Sequence, residues 1–392
     1  MTPTGFDAEA ATQAYIDSLG PEALERAAAY TTGNHWIMLG GLVVGAITAW
    51  LIIRLGWLSA IERIFGERSN IGVFVIGLVY MLVSTIITLP WTIYSGWWRE
   101  VQFDRTSQAL GDYLTQSAMG TAIGALIAPL FLVLLYLFIR NARRTWWIWG
   151  GGLSAAAISL LMLLTPIYIM PLFNNYEPLP DGEVRDAVEV MAIEANIPTD
   201  RIFVFDGSRQ SNNFTANVAG IGPSARIAIS DVALGEASLD EVRAVTGHEI
   251  GHYVLGHIWY GIALVSVMSV VFFFLASWLF PGLAGLFGAH RDIARASGLP
   301  VLIFFISLLS TLASPVFNTA SRWDETSADQ YSLDTVGLPD ALATALVKTA
   351  EYRNPRPQGW EEVLFYTHPS VERRVRMAME WKAENAAEGE AE

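Results

Sequence analysis

The sequence predicts an all-α multi-pass membrane bundle of about six transmembrane helices that carries a small α+β domain exposed to water. Hydrophobic residues make up 53% of the 392 residues and charged residues only 16%, whereas an average soluble domain contains about a quarter charged residues. The apolar residues are gathered into blocks of the roughly 20 residues that a transmembrane helix requires. Between two such blocks lies a polar stretch with both helical and strand-like patterns. These observations disfavour the alternative, a soluble bundle of buried helices.

The predicted elements begin with a polar segment and continue into the membrane. Residues 1–35 are acidic, and Pro21 followed by Glu22 indicates the start of a helix. Residues 36–173 contain four apolar blocks, and residues 256–320 contain two more. Trp and Tyr gather at many of their ends, as expected at the headgroup level of a bilayer. The six blocks are Trp36–Trp57, Ile71–Trp97, Ala118–Ile139, Trp146–Met170, Ile258–Phe287 and Pro300–Ala320.

The first half of the predicted polar domain is residues 174–255. Within it, Gly182–Asn196 carries a helical apolar face. The turn at Gly220–Pro223 indicates a hairpin or a small sheet. Two short segments rich in β-forming residues are predicted strands, Arg201–Phe205 and Arg226–Ile229.

The second half of the polar domain is predicted at residues 321–382, after the sixth apolar block. A helical run covers Ala328–Ala350 and is broken at Gly337–Pro339, and a last helix is predicted at Pro369–Lys382. The tail, residues 383–392, is acidic and of low complexity, so we expect it to be disordered.

Net charge and cysteine content exclude several classes of function. The formal net charge is −14, which argues against a nucleic-acid partner because phosphates require clustered Lys and Arg. It also argues against a polybasic contact with anionic lipid headgroups. The chain has no cysteine, so disulfides, thiolate nucleophiles and cysteine-based zinc sites are excluded.

A metal-binding pattern lies on the last helix of the first half. Ser238 and Glu241 form a capping-box pattern, which predicts that a helix begins there and continues through His248 and His252. The four-residue spacing places both imidazoles on one helix face, within reach of one ion. Glu249 faces the same cleft and is free to take a proton from an attacking water. The alternative is a helix with two surface histidines and a carboxylate.

The third ligand of a catalytic zinc site must come from elsewhere in the chain. The pattern H-E-x-x-H-x-x-G-x-x-H would require Gly at 255 and His at 258, where this chain has Leu255 and Ile258. On a continuous helix His257 would lie about half a turn away from His248, so it is interpreted as an interfacial residue at the start of the fifth span.

Glu325 is the best candidate for that ligand. Asp329, four residues later, shares its helix face and could accept the spare N–H of a ligand histidine. From spacing alone, the neighbouring Asp324 competes with Glu325.

Further short segments carry a family pattern. They are Leu89–Tyr94, Phe103–Thr106, Pro171–Asn174, Pro178–Pro180, Glu189–Ala192, Ser321–Asp329 and His368–Arg374. Together they resemble the integral-membrane type I CAAX prenyl endopeptidases, zinc enzymes of the gluzincin type, from about the second span to near the end of the chain. The family has seven spans, and the spacing indicates that this chain lacks the first.

The resemblance implies one Zn²⁺ per chain, held by His248, His252 and Glu325. It selects Glu325 over Asp324, with Asp329 supporting a ligand histidine from outside the ligand set.

The resemblance also implies the catalytic residues, which are Glu249 as the base together with His368 and an arginine that steady the oxyanion and the substrate. The arginine follows the histidine by six residues, which selects Arg374 over Arg373. An edge strand should pair with the substrate backbone. Its residues here are Thr215, Ala216 and Asn217, in a segment whose side chains depart from the family pattern.

The function expected from these observations is that of a membrane-embedded zinc metalloendopeptidase. Its partners would be the lipid bilayer and a peptide or protein substrate, either prenylated or membrane-inserted. General clearance of membrane proteins without prenylation is one alternative, and a non-catalytic membrane scaffold is another. We expect a bacterial inner membrane with the zinc domain facing the cytoplasm, although the arginines of the short loops on the other side oppose that orientation.

Overall fold

The computed structural model describes residues 6–349 and 353–389, and the predictions for residues 1–5, 350–352 and 390–392 lie outside the described residues. The described chain is mostly helical. Its α-helices are α1 Ala8–Asp17, α2 Gly20–Leu55, α3 Trp57–Phe65, α4 Asn70–Ile93, α5 Arg99–Gln102, α6 Leu110–Asn141, α7 Trp146–Leu164, α8 Glu183–Glu194, α9 Asp231–Glu236, α10 Leu239–Val254, α11 His257–Phe287, α12 Leu299–Leu312, α13 Ser314–Val336, α14 Pro339–Lys348, α15 Gly359–Phe365 and α16 Val371–Gly389. The strands are β1 Tyr176–Pro178, β2 Ile202–Phe205, β3 Ala216–Ala219 and β4 Arg226–Ser230.

Five helical segments in the described residues are long and apolar enough to cross a membrane. They are Gly20–Leu55, Asn70–Gln102, Leu110–Asn141, Trp146–Leu172 and His257–Phe287. The second joins α4 to α5 through a π-helical turn, and the fourth extends α7 in the same way. These segments confirm the predicted membrane bundle.

The sixth predicted span, Pro300–Ala320, is not one straight helix. It is divided between α12 and α13, whose axes differ by 52°. α12 has only 14 residues, fewer than the roughly 20 needed to cross a bilayer, so the sixth span is complete when the bent pair of α12 and α13 counts as one. Pro315 lies in the first turn of α13, where its missing N–H and fixed φ favour a new helix start. The break directs α13 out of the bundle and into the polar domain.

The amino-terminal residues belong to the helices around them. α2 begins at Gly20 with Pro21 in its first turn, as predicted, and then continues without interruption through the first apolar block. α1 packs on α16, where Ile16 is fully buried together with Val375 and Met379. The polar residues 6–35 are therefore built into the domain that they precede in sequence.

The polar domain contains a four-stranded mixed sheet of order β1-β2-β4-β3. Both predicted strands are confirmed, as β2 and β4, and they pair in parallel. The small sheet is therefore confirmed, but the turn at Gly220–Pro223 joins β4 to β3, with which it is antiparallel, and not to β2. Gly220 enters this turn with φ +94°, and a Cβ there would lie 2.3 Å from a backbone oxygen. β3 is left as a free edge of the sheet.

The two halves of the polar domain meet where α10 packs on α13. Gly251 of α10 permits this approach, because a Cβ there would lie 3.2 Å from the backbone of Ala328. The Ser332 hydroxyl donates a hydrogen bond to the Ala244 carbonyl across the same contact, at 2.7 Å. α16 then closes the domain and continues as helix over residues 383–389, where the sequence predicted disorder.

Candidate metal centre

α10 presents its two histidines as the sequence predicts. The capping box is present: the Ser238 hydroxyl accepts from the Glu241 N–H at 3.3 Å, and the Glu241 carboxylate accepts from the Ser238 N–H at 2.7 Å. Two turns later, the Nε2 atoms of His248 and His252 lie 3.1 Å apart. The helix therefore directs two nitrogen ligands at one point.

Glu325 on α13 completes a group of three possible ligands. Its Oε2 lies 3.3 Å from His248 Nε2, and its Oε1 lies 3.4 Å from His252 Nε2. One ligand atom from each of the three residues fits within 4.8 Å of the others. The competing candidate Asp324 is not part of the group. Its Oδ1 lies 4.0 Å from Nε2 of His257, which is not one of the three ligands.

Two features of this group fit a bound cation. Glu325 is 7% exposed, and its Oε2 has no hydrogen-bond donor among the described residues. A buried carboxylate oxygen without a donor is costly unless an ion contacts it. Burial lowers the pKa of His248, but the nearby carboxylates of Asp329 and Glu325 outweigh that effect and raise it to about 10. The pocket therefore favours positive charge between these side chains.

Asp329 and Arg374 support His248 from behind. Asp329 is fully buried, and its Oδ1 lies 2.8 Å from His248 Nδ1. Arg374 donates twice to Asp329, from Nε to Oδ2 and from Nη2 to Oδ1, both at 2.7 Å. Although burial raises the pKa of Asp329, the guanidinium outweighs it and brings the value to about 2. An ionised Asp329 fixes Nδ1 as the protonated nitrogen of His248 and leaves Nε2 for a metal.

His257 supports His252 in the same way, a role that the sequence reasoning missed. Its Nδ1 lies 2.8 Å from His252 Nδ1, and its Nε2 lies 3.1 Å from the Ser327 hydroxyl. The expectation of a continuous helix was wrong, because α10 ends at Val254 and Gly256 has φ +71° before α11 begins. The break turns His257 back toward the centre, and a glycine just after the helix was the signal that could have predicted it.

Glu249, His368 and Arg374 line one polar cavity of about 620 Å³ together with the ligand candidates His248 and Glu325. Burial raises the pKa of Glu249, beside the two histidines. His368 Nε2 lies 3.2 Å from Glu325 Oε1, and burial lowers the pKa of His368 to about 3. Arg374 faces the cavity, whereas Arg373 is exposed and pairs with Glu362 at 3.1 Å.

Only part of the segment predicted to pair with the substrate lines the polar cavity. Thr215 and Ala216 line the polar cavity, and Asn217 does not. The Ser230 N–H donates to the Thr215 carbonyl at 2.9 Å, so the backbone of Thr215 faces β4. Because hydrogen-bonded positions alternate along an antiparallel pair, the backbone groups of Ala216 and Val218 face away from the sheet.

Comparison with known proteins identifies the chain. Residues 178–382 match the model of peptidase family M48, and residues 8–175 match the CAAX prenyl protease N-terminal model of five membrane helices. The chain belongs to peptidase family M48. It is therefore a membrane metallopeptidase, and the predicted family resemblance is confirmed.

Relatives of this chain occur in distant organisms. An uncharacterised metalloprotease of Bacillus subtilis, YhfN, is 28% identical over 80% of this chain and 74% of its own. CAAX prenyl protease 1 of Saccharomyces cerevisiae is also 28% identical, over 76% of this chain and 70% of its own. The crystal structure of S. mikatae Ste24p aligns with a TM-score of 0.76 at 21% identity and covers 95% of both chains. That likeness shows a shared fold.

Proposed function

We propose that the chain is a zinc endopeptidase that hydrolyses peptide bonds in the polar cavity, with one Zn²⁺ held by His248, His252 and Glu325. The observation that carries the proposal is the buried carboxylate of Glu325 beside two converging imidazole nitrogens, with an Oε2 that makes no hydrogen bond within the described residues. Three such ligands leave one coordination position open, as in catalytic rather than structural zinc sites. The ion would supply Lewis acidity toward the scissile carbonyl and toward the attacking water.

Glu249 is the proposed general base. It lies one residue after His248 and lines the cavity without belonging to the ligand group. Its carboxylate would accept a proton from the attacking water and later give it to the leaving amine. Burial raises the pKa of Glu249, which favours this exchange because a base works best when its pKa approaches the working pH.

His368 is proposed to donate to the oxyanion. Its Nδ1 lies 2.9 Å from the Thr367 hydroxyl, which could donate to that nitrogen and leave the proton on Nε2. The same Nε2 lies 3.2 Å from Glu325 Oε1, at the border of the proposed ligand group, where an N–H would suit a developing negative charge on the substrate oxygen. Arg374 makes two hydrogen bonds to Asp329. We therefore assign it to holding Asp329 and His248 in place rather than to direct contact with the substrate.

The substrate backbone is proposed to pair with the free edge of β3. Strand addition uses main-chain groups, so it tolerates the departure of this segment from the family pattern. Of the predicted residues Thr215, Ala216 and Asn217, the alternation along β3 favours Ala216 for this pairing and adds Val218.

Prenylated peptides are the proposed substrate class, by analogy with the relatives named CAAX prenyl proteases. We also propose a bacterial inner membrane, with the zinc domain on the cytoplasmic side. Two of the opposing arginines have a structural role that does not depend on topology. Arg295 pairs with Glu62 and Glu67, and Arg140 donates to the Glu67 carbonyl. A reporter fused after Glu392 tests the orientation.

The experiment that tests the proposal is metal removal and return. Purified protein should contain about one Zn²⁺ per chain, lose peptide cleavage when a chelator removes the ion, and recover it with Zn²⁺. A farnesylated peptide, its unmodified twin and an unfolded membrane protein provide the three substrates. Full cleavage by zinc-free protein would contradict the zinc mechanism. Equal cleavage of both peptides would contradict the prenylated substrate class.

A further inference from the structure

The end of the membrane bundle that lies opposite the polar domain is strongly basic. α2, α6 and α11 end there and α4, α7 and α12 begin there, so three connecting loops meet at this end. Residues 54–68, 140–145 and 288–298 contain eight arginines and three carboxylates. We call the surface formed by these residues the basic end. The net charge of the whole chain, −14, argued against a contact with anionic lipid, but it does not describe this surface.

Two of the eight arginines hold the three loops together. Glu62 of α3 accepts hydrogen bonds from Arg295 Nε at 3.0 Å and from the Ser297 hydroxyl at 2.7 Å. Arg295 Nη1 also lies 2.6 Å from Glu67 Oε1. Arg140, at the end of α6, donates to the Glu67 carbonyl at 2.7 Å. The basic end is therefore one connected surface, and its two glutamates are already engaged inside it.

The other six arginines of the basic end are exposed. They are Arg54, Arg63, Arg68, Arg143, Arg144 and Arg291. Within residues 6–349 and 353–389, only Arg143 among these six has an ion pair, with Asp292 at 3.9 Å. A guanidinium group suits phosphate, because its planar N–H groups match two phosphate oxygens. So many unpaired guanidinium groups on one surface attract an anionic partner.

α3 indicates that this partner belongs to the membrane. Leu58 and Glu62 form its buried face. Its outer face exposes three large apolar side chains, Trp57, Ile64 and Phe65. Exposed apolar side chains on one short helix, with Arg63 beside them in sequence, are typical of a helix that lies in the surface of a bilayer. The hydrogen bonds of Glu62 fix the rotation of α3 and so keep this apolar face directed outward.

We propose that the basic end binds the phosphate headgroups of anionic phospholipids, with α3 lying in the surface of the bilayer. Arg63 of α3 and Arg68, just after it, would contact headgroups beside the apolar face. Arg143 and Arg144 would contact them from the loop between α6 and α7. A phospholipid fits better than a free phosphate ion, because the apolar side chains of α3 need hydrocarbon next to the charge. This contact goes beyond the proposed peptidase reaction and does not depend on it.

The first test measures the preference for anionic lipid. Purified full-length protein in detergent micelles is titrated with dansyl-labelled phosphatidylglycerol, which is then displaced by unlabelled lipids. Phosphatidylglycerol should displace it at least tenfold better than phosphatidylcholine, and the preference should fall at high salt because exposed charges are screened. Equal displacement by both lipids would overturn the proposal. Displacement by soluble glycerol 3-phosphate as effective as that by phosphatidylglycerol would show a site for soluble anions instead.

A pair of variants locates the preference on the protein. Arg63→Gln combined with Arg68→Gln should lower the preference for phosphatidylglycerol about tenfold, since each basic residue at a membrane surface contributes to the attraction. The zinc content should stay that of the parent, which shows that the variant is folded. Arg201→Gln combined with Arg243→Gln removes the same charge from the polar domain and should change neither quantity. Equal losses of preference in both double variants would overturn the assignment to the basic end.

The position of α3 is tested separately. The chain has no cysteine, so a single nitroxide label can be attached at one chosen residue. Ile64 is 78% exposed, and Val190, on α8 of the polar domain, is 56% exposed. In bilayers, a label at Ile64→Cys should be more accessible to oxygen than to a water-soluble nickel chelate, and a label at Val190→Cys should show the reverse. A label at residue 64 that the nickel chelate reaches as readily as at residue 190 would overturn the placement of α3.

A further measurement uses the parent protein without substitutions. Phosphatidylglycerol with a photoactivatable headgroup should label residues 57–68 or 141–145 of the protein in bilayers. Labelling confined to the polar domain would overturn the proposed lipid contact.

Discussion

Two buried glutamates in this protein have opposite surroundings. Glu62 on α3 is 1% exposed, and its carboxylate accepts hydrogen bonds from Arg295 Nε at 3.0 Å and from the Ser297 hydroxyl at 2.7 Å. Glu325 is nearly as buried, yet its Oε2 makes no hydrogen bond in the described chain. Its Oε2 faces the imidazole of His248, and its Oε1 faces that of His252. Burial alone therefore does not identify a functional carboxylate. What distinguishes Glu325 is that its carboxylate shares one group of possible ligands with two imidazole nitrogens, as a metal site requires.

The largest expected effect separates the two glutamates by metal content. Glu325→Gln should reduce bound zinc from about one per chain to almost none and abolish cleavage, because a neutral amide is a poor ligand for the ion. Glu62→Gln should retain the zinc but lower the free energy of unfolding by about 2–4 kcal/mol, since Arg295 loses a charged partner. Elemental analysis and thermal unfolding of both variants check this. If Glu62→Gln lost its zinc and Glu325→Gln retained it, the assignment of Glu325 as the metal ligand would be wrong.

The next effect concerns Asp329, the carboxylate behind His248. Asp329→Asn should weaken zinc affinity about tenfold to a hundredfold, the usual cost of losing a carboxylate that supports a ligand histidine. Competition with a fluorescent chelator measures this affinity. Asp324→Asn is the matched control on the same helix, because Asp324 is not part of the ligand group. Equal losses in both variants would indicate a general effect of charge instead.

A smaller effect is expected at His257. His257→Ala removes the hydrogen-bond acceptor of His252 Nδ1, so zinc affinity should fall about tenfold while the protein remains folded. The exposed His290, in the loop after α11, provides the control variant His290→Ala. Unchanged zinc affinity in His257→Ala would show that the contact between the two imidazoles does not position the ligand.

The smallest effect is expected at the helix cap. Ser238→Ala removes the hydroxyl that accepts from the Glu241 N–H and should destabilise the domain by about 1 kcal/mol. Zinc affinity should change little, because the cap lies more than two turns before His248. Chemical unfolding of the metal-free and zinc-bound protein measures both quantities. A large loss of affinity would show that the helix start controls the geometry of the ligands.

Local patterns predicted most of this structure, because its spans, strands and capped helix follow from neighbouring residues. The prediction that His248 and His252 share one helix face follows from their four-residue spacing and required no knowledge of the tertiary structure. Glu325 could be proposed from spacing, but only the family pattern preferred it to Asp324. It approaches α10 because Gly251 lets two distant helices meet closely, which no local pattern contains.

The errors have a common physical cause, since each involves a helix that begins or ends where the apolar pattern does not. α10 ends before Gly256, and the change of chain direction at this glycine places His257 beside the metal ligand His252. The sixth apolar block breaks before Pro315, so α13 leaves the bundle and carries Glu325 into the polar domain. Conversely, the sequence predicted that a polar segment ends at residue 35 and a span begins after it. α2 continues through that position, because both polar and apolar residues can propagate one helix.

The central claim is that the buried group of two imidazoles and a carboxylate is a catalytic zinc centre with Glu249 as its base. The most direct measurement combines zinc content and peptide cleavage in Glu249→Gln. The account predicts that this variant binds about one Zn²⁺ per chain with the affinity of the parent and cleaves about a thousandfold more slowly. Cleavage at the rate of the parent by the zinc-loaded variant would contradict it.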